Sequence, residues 1–395
     1  MRFAFAALLL LLPLSSTAAA FSVIYNDGPS EGFNDPASPD PQSQMDGNPG
    51  TTLGEQRRWA FERALQFWGL RLQSNITIRV DAEMNDLTCD STSAVLGSAG
   101  AKSLYTNWIP AAGGSGPTFT DTWYGQALAN RIANKDNGPS TDDIGATFNK
   151  HIDESNSCLG SITWYYALGH APGGTVSFYR TVLHEMGHGV NFQTFVDVST
   201  GKRVMGLDDI FMKFLEDHSL GLNWPSMSPS QRQASATDTN DLHWTGSNVL
   251  GATASLGSGT SAGHVKMYAP SSLEQGSSVS HWDKDVDDTS GNSELMEPVA
   301  TGTEKLTVTD ELFHDLGWNA IDAHNCSFAN DRTTVSGILN GTRQDNACVS
   351  VTYNSATVNS GDTSALAGQQ VIFASGFTVK MGATFTANTD PSIGL

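Results

Sequence analysis

The chain has 395 residues, with 41 Asp and Glu against 21 Lys and Arg, giving a formal net charge of −20. That balance excludes binding to a nucleic-acid backbone through a basic surface. The acid is 29 Asp and only 12 Glu, which beside 39 Gly favours turns and excludes a coiled coil or helical repeat, and 39% hydrophobic residues exclude wholesale disorder.

Residues 1–20 read as an export signal: Arg2, an apolar run from Phe3 to Leu14, then Ala18-Ala19-Ala20, with cleavage expected before Phe21. The run is short and broken by Pro13, and no later stretch is apolar for long enough to span a bilayer. A secreted or extracellular protein without a transmembrane segment is therefore expected. Thr52 and Glu55 have capping-box spacing and open an expected helix through Leu72, with Trp59, Ala60, Leu65, Phe67, Trp68 and Leu72 as its core residues. Ile76 to Ala82 alternates as a strand, Asp121 to Ala133 reads as a helix, and Ile144 to Phe148 and Trp164 to Leu168 as short strands. Helices are expected over Thr175 to Asn191 and Asp208 to His218, a Ser, Thr and Gly-rich loop over Thr245 to Ala262, and a last short helix from Thr309 to about Trp318. The fold class is α+β, with one main domain over residues 21–323. Residues 324–395 lose helical periodicity and alternate, as in Val349-Ser350-Val351-Thr352-Tyr353, so a small all-β module is expected there.

The four cysteines, Cys89, Cys158, Cys326 and Cys348, suit an oxidising compartment, and pairing within each proposed domain gives Cys89–Cys158 and Cys326–Cys348. Asn75, Asn325 and Asn340 stand in sequons.

Chemistry concentrates in His184-Glu185-Met186-Gly187-His188. On a helix, a spacing of four stacks His184 and His188 on one face, where two imidazoles converge on one metal, and Glu185 stands where it reaches water beside that metal without ligating it. Zn2+ is the expected cofactor, and catalytic zinc takes three protein ligands. The third is either Glu216, on the helix expected next, or His281 in Ser280-His281-Trp282. His151, His170, His218, His243, His264 and His314 read as ordinary surface or hydrogen-bonded residues. Asp283, Asp285, Asp287 and Glu294 fall at positions 1, 3, 5 and 12 of an EF-hand-like loop, but Asp288 replaces the glycine of position 6; Ca2+ there is a hypothesis beside that of a solvated acidic loop.

HExxH with Gly189 and Phe192, the distant Ser280-His281-Trp282, Glu294-Leu295-Met296-Glu297-Pro298 and the closing Asp315-Leu316-Gly317-Trp318 together resemble the leishmanolysin branch of the metzincin zinc proteases. The resemblance implies a metzincin-like domain with a mixed sheet and an active-site helix, His184, His188 and His281 as zinc ligands, Glu185 as catalytic acid/base and Met296 as the methionine of a turn beneath the metal. It covers residues 175–318 in its motifs. Asn191 departs from the glycine usual in metzincins, and Thr194 excludes their compact third-histidine spacing. Asn tolerates the left-handed backbone that such a glycine supplies. The expected activity is hydrolysis of protein or peptide substrates; the alternatives are a thermolysin-like site using Glu216 and a catalytically lapsed surface-binding protein.

Overall fold

The computed structural model describes residues 18–154, 157–299, 301, 305–318, 332–339, 343–347, 350–360, 362–367, 370–373, 375–380 and 384–389. The export signal up to residue 17, the Cys326–Cys348 pairing and the sequons at Asn325 and Asn340 lie outside the described residues.

Four strands form the first sheet: β1 (Phe21–Tyr25), β2 (Ile78–Asn85), β3 (Gly97–Ala101) and β4 (Ile144–Asn149). Their order is β1-β2-β4-β3, parallel except for β3, which runs antiparallel along the outer side of β4. The period-two pattern of β2 buries Ile78, Val80, Ala82 and Met84, so the expected strand is correct in kind and displaced by about one turn of the pleat.

Helix α1 (Leu53–Arg71) starts where the capping spacing places it. The Thr52 hydroxyl accepts from the Glu55 N–H at 3.2 Å, and the Glu55 carboxylate accepts from the Thr52 N–H at 3.2 Å. Phe61 of α1 meets Phe148 of β4 edge-on at 5.8 Å, and Phe148 meets Phe178 at 5.1 Å. Each of these buried rings contributes roughly 1.5–3 kcal/mol through area removed from water. Helix α2 (Gln126–Ala133) is shorter than expected, because Thr122–Gly125 is spent on strand pairing with Leu104–Tyr105 and Asp208–Asp209. Helix α3 (Phe178–Gly189) is likewise trimmed: Thr175–Ser177 pairs with Thr163–Tyr165, and the Ser177 hydroxyl then caps the helix by accepting from the Arg180 N–H.

The helix expected over Asp208 to His218 is not formed. Asp209 accepts from the Met212 N–H at 2.7 Å and so starts only one tight turn, Met212–Phe214. Leu215 and Asp217, both buried at a spacing of two, then commit the chain to a strand, β5 (Leu215–Asp217). Pairing across the sheet outweighed the local pattern that suggested a helix. With β6 (Leu242–Trp244), β7 (His264–Lys266) and the short strands Leu222–Asn223 and Thr260–Ser261, β5 forms a second, antiparallel sheet. The stretch expected as loop from Thr245 contains helix α4 (Ser247–Ala252). The carboxylate of Asp315, in helix α5 (Thr309–Leu316), accepts from the N–H groups of Asn248 and Val249 and from the Trp244 indole, which fixes α4 against α5.

Cys89 and Cys158 are joined as a disulfide. Ala18 to Ala20, assigned by the expected cleavage to the removed segment, lie against the end of α1: the Ala19 N–H donates to the Gly69 and Leu72 carbonyls at 2.9 and 2.8 Å.

The C-terminal part contains β8 (Arg332–Leu339), β9 (Arg343–Ala347), β10 (Ser350–Val358), β11 (Asp362–Ala367), β12 (Gln370–Phe373), β13 (Thr378–Val379) and β14 (Thr384–Thr389). All pairings among them are parallel, in two alternating stacks: β10 joins β8, β12 and β13, while β11 joins β9 and β14. Successive coils of a short β-solenoid therefore pile on one another. Tyr353 of β10 is fully buried, with Phe385 of β14 edge-on at 4.9 Å.

Candidate metal centre

Helix α3 carries His184 and His188 one turn apart, and a turn beginning at Ser277 brings His281 to them from 93 residues further along the chain. The three Nε2 atoms form a nearly equilateral triangle: 3.1 Å between His184 and His281, 3.2 Å between His188 and His184, and 3.2 Å between His188 and His281. Each Nδ1 faces a backbone carbonyl, that of Leu295 for His184 at 2.7 Å, Phe192 for His188 at 2.7 Å and Ser277 for His281 at 2.8 Å. A carbonyl only accepts, so every Nδ1 carries its proton and every Nε2 presents a lone pair to the centre.

Three lone pairs face one another with no proton available to bridge them. A cation relieves that arrangement. Nitrogen ligands about 2.0–2.1 Å from a tetrahedral zinc stand about 3.3–3.4 Å apart, close to the observed triangle. Burial and the neighbouring imidazoles push His188 down to about 3 and His281 well below the usual imidazole value, which keeps both rings neutral as ligands. Among the described residues this is the one group of three or more His, Cys, Asp and Glu whose ligand atoms already lie within 4.8 Å of one another.

Glu185 is buried beside the triad, under β3. Its Cγ lies 3.0 Å from where a Cβ on Gly97 would sit, so a side chain there would press on it. Burial pushes its carboxyl up to about 8, opposed by a hydrogen bond from the Ala99 N–H. Beneath α3, Met296 is fully buried, and a Cβ on Gly187 would meet its Sδ at 2.5 Å. The neighbouring Leu295 carbonyl orients His184, and the Met296 carbonyl accepts from the Trp282 N–H at 2.9 Å, which ties the turn to the residue after His281. Asn191 takes a φ of +94°, the left-handed geometry expected of it, and its Oδ1 accepts from the Gly125 N–H at 2.7 Å.

Glu216 does not join the triad; it lies in β5, opposite His243 of β6. The EF-hand-like set is not assembled either. Glu294 is buried and accepts from the N–H groups of Thr307, Val308 and Thr309 and from the Thr309 hydroxyl, leading into α5. Asp285 pairs with Lys266, and the Ser258 hydroxyl donates to Asp287. The orienting carbonyls of Phe192, Ser277 and Leu295, and the Ala99 N–H, left no mark in the sequence, since any residue offers the same backbone groups. The chain matches no protein-family model, no curated protein and no solved structure.

Proposed function

We propose that the protein is an exported zinc-dependent endopeptidase of metzincin type, resembling the leishmanolysin branch. The observation that carries this reading is the triangle of three unprotonated Nε2 atoms with Glu185 buried at its side. The mixed sheet above α3 and the fully buried Met296 below it support the metzincin type. The Cys89–Cys158 disulfide supports export.

His184, His188 and His281 would hold the metal, and zinc bound there supplies Lewis acidity that activates water and polarises a scissile carbonyl. Three neutral ligands leave the positive charge of the site uncompensated. Glu185, with its carboxylate fixed by the Ala99 N–H, takes a proton from the attacking water and returns it to the departing amine. As an outer strand of the first sheet, β3 offers backbone groups to an extended peptide directly beside Glu185.

Casein hydrolysis and metal content test the assignment together. Glu185→Ala is expected to retain zinc and lose at least about 100-fold in rate, whereas His281→Ala loses the metal of this site along with activity. Casein cleavage that survives chelation, or that Glu185→Ala leaves unchanged, refutes the reading.

A further inference from the structure

The second sheet gathers side chains for which the hydrolytic site has no use. Glu216 of β5 stands directly across from His243 of β6, and His243 stands across from Lys266 of β7. Side chains two apart share a strand face, so Glu216 and His218, with His243 and with His264 beside Lys266, occupy one side of the sheet. The rings are neighbours: centroids lie 5.7 Å apart for His218 and His243 and 5.9 Å apart for His243 and His264. A Glu216 carboxylate oxygen lies 3.6 Å from Nδ1 of His218.

Two ring atoms in this cluster are in an unusual state. His243 is fully buried and its Nε2 faces the Asn240 carbonyl at 2.9 Å, so the proton sits on Nε2 and Nδ1 keeps a lone pair. That Nδ1 is buried without a hydrogen-bond partner among the described residues, and so is Nδ1 of the adjacent His264. Buried polar atoms are almost always satisfied, and two orphaned imidazole nitrogens on neighbouring rings point to a shared ligand. Lys266, the nearby cation on this face, is turned aside and held by Asp285 at 2.6 Å and by the Asn240 side chain at 3.0 Å.

We propose that His243 and His264, completed by His218 and Glu216, form a second metal site that takes zinc or another divalent transition ion favoured by imidazole. His243, held through its Nε2, and the neighbouring His264 supply two donors. His218, with 53% of its side chain exposed, and Glu216, with 22%, have the freedom to turn inward and close the coordination shell. The donor set of three imidazoles and a carboxylate suits zinc, copper or nickel and suits calcium poorly. An ion here joins β5, β6 and β7. The chain leaving β7 pairs Met267 with Trp282, and the His281 carbonyl accepts from the Tyr268 N–H at 2.8 Å, so the ion braces the segment that presents the third ligand of the triad.

Zinc bound per chain decides the matter. The full-length chain is stripped with a chelator, dialysed against micromolar zinc and measured by mass spectrometry, with folding followed by circular dichroism. Two zinc ions per chain are expected, falling to one in His218→Ala and to one in His264→Ala. His218 is exposed, so its substitution leaves the fold intact. His184→Ala also falls to one, but through loss of the other site, which keeps a failure of the hydrolytic reading separate from a failure of this one. A wild-type chain whose single zinc is abolished by His184→Ala, or His218→Ala and His264→Ala variants that bind as much as wild type, overturns the second site.

Discussion

Gly187 sits between His184 and His188 on α3, and a side chain there would point toward Met296. In Gly187→Ala the added Cβ would lie 2.5 Å from Sδ and 3.0 Å from Cε of Met296, with the Trp68 ring at 3.6 Å, and both of those side chains are fully buried. Overpacking of this kind costs about 1–3 kcal/mol, while replacing a helical glycine by alanine returns up to about 1 kcal/mol. A net loss of about 1–2 kcal/mol is expected, visible as a lower urea midpoint for the chelated chain. Met296→Ala alone leaves a cavity and costs about 2–5 kcal/mol. In that background the obstruction is gone, so Gly187→Ala should now stabilise. The two substitutions are therefore coupled by about 2 kcal/mol, and the sign of the Gly187→Ala effect reverses between backgrounds. If Gly187→Ala stabilises the chain by the same amount with and without Met296, the packing argument for the methionine beneath α3 is wrong.

At Asn191 the order of stability should be wild type, then Asn191→Gly, then Asn191→Ala. Glycine loses only the acceptor for the Gly125 N–H, whereas alanine also strains the +94° φ, for a total of about 2–4 kcal/mol by denaturant unfolding; equal losses in the two variants would contradict it. Burial raises Asp209 to about 6 from 3.8, despite hydrogen bonds from Thr194, Phe195 and Met212. The folded state thus holds this proton more tightly than the unfolded state. Its contribution is fully present below about pH 4 and is lost as pH rises through about 6, a change on the order of 3 kcal/mol. Urea stability of Asp209→Asn should therefore lack part of the decline that wild type shows between these pH values, and identical profiles would exclude the elevated carboxyl.

Local signals proved legible where a few adjacent residues decide the outcome. Thr52 with Glu55 located the start of α1, and the pair His184 and His188 needed only helical spacing to face one way. The chain between Asp208 and His218 failed because its fate depends on a distant partner: Leu215 and Asp217 pair with Trp244 and Leu242, which no local pattern announces. His281 was recognisable through resemblance alone. Spacing left it level with Glu216, and the choice rests on a turn whose Ser277 carbonyl holds the ring in place. The C-terminal alternation signalled strands without their direction. Parallel stacking arises from register between segments 18 to 22 residues apart, such as Arg332 with Ser350 and Asp362 with Thr384, and these segments share little side-chain identity.

Since Nε2 of His188 and Nε2 of His281 meet although 93 positions apart in the chain, an ion held between them would act as a reversible staple. Closing a loop of that length removes unfolded-chain entropy worth about 4–5 kcal/mol in the disulfide formalism, comparable with the whole stability of many small domains. That entropy would count only while the ion stays bound in the open chain; an ion lost on opening would stabilise the closed form through its affinity alone. Metal capture and closure of this long excursion would thereby be coupled in one equilibrium.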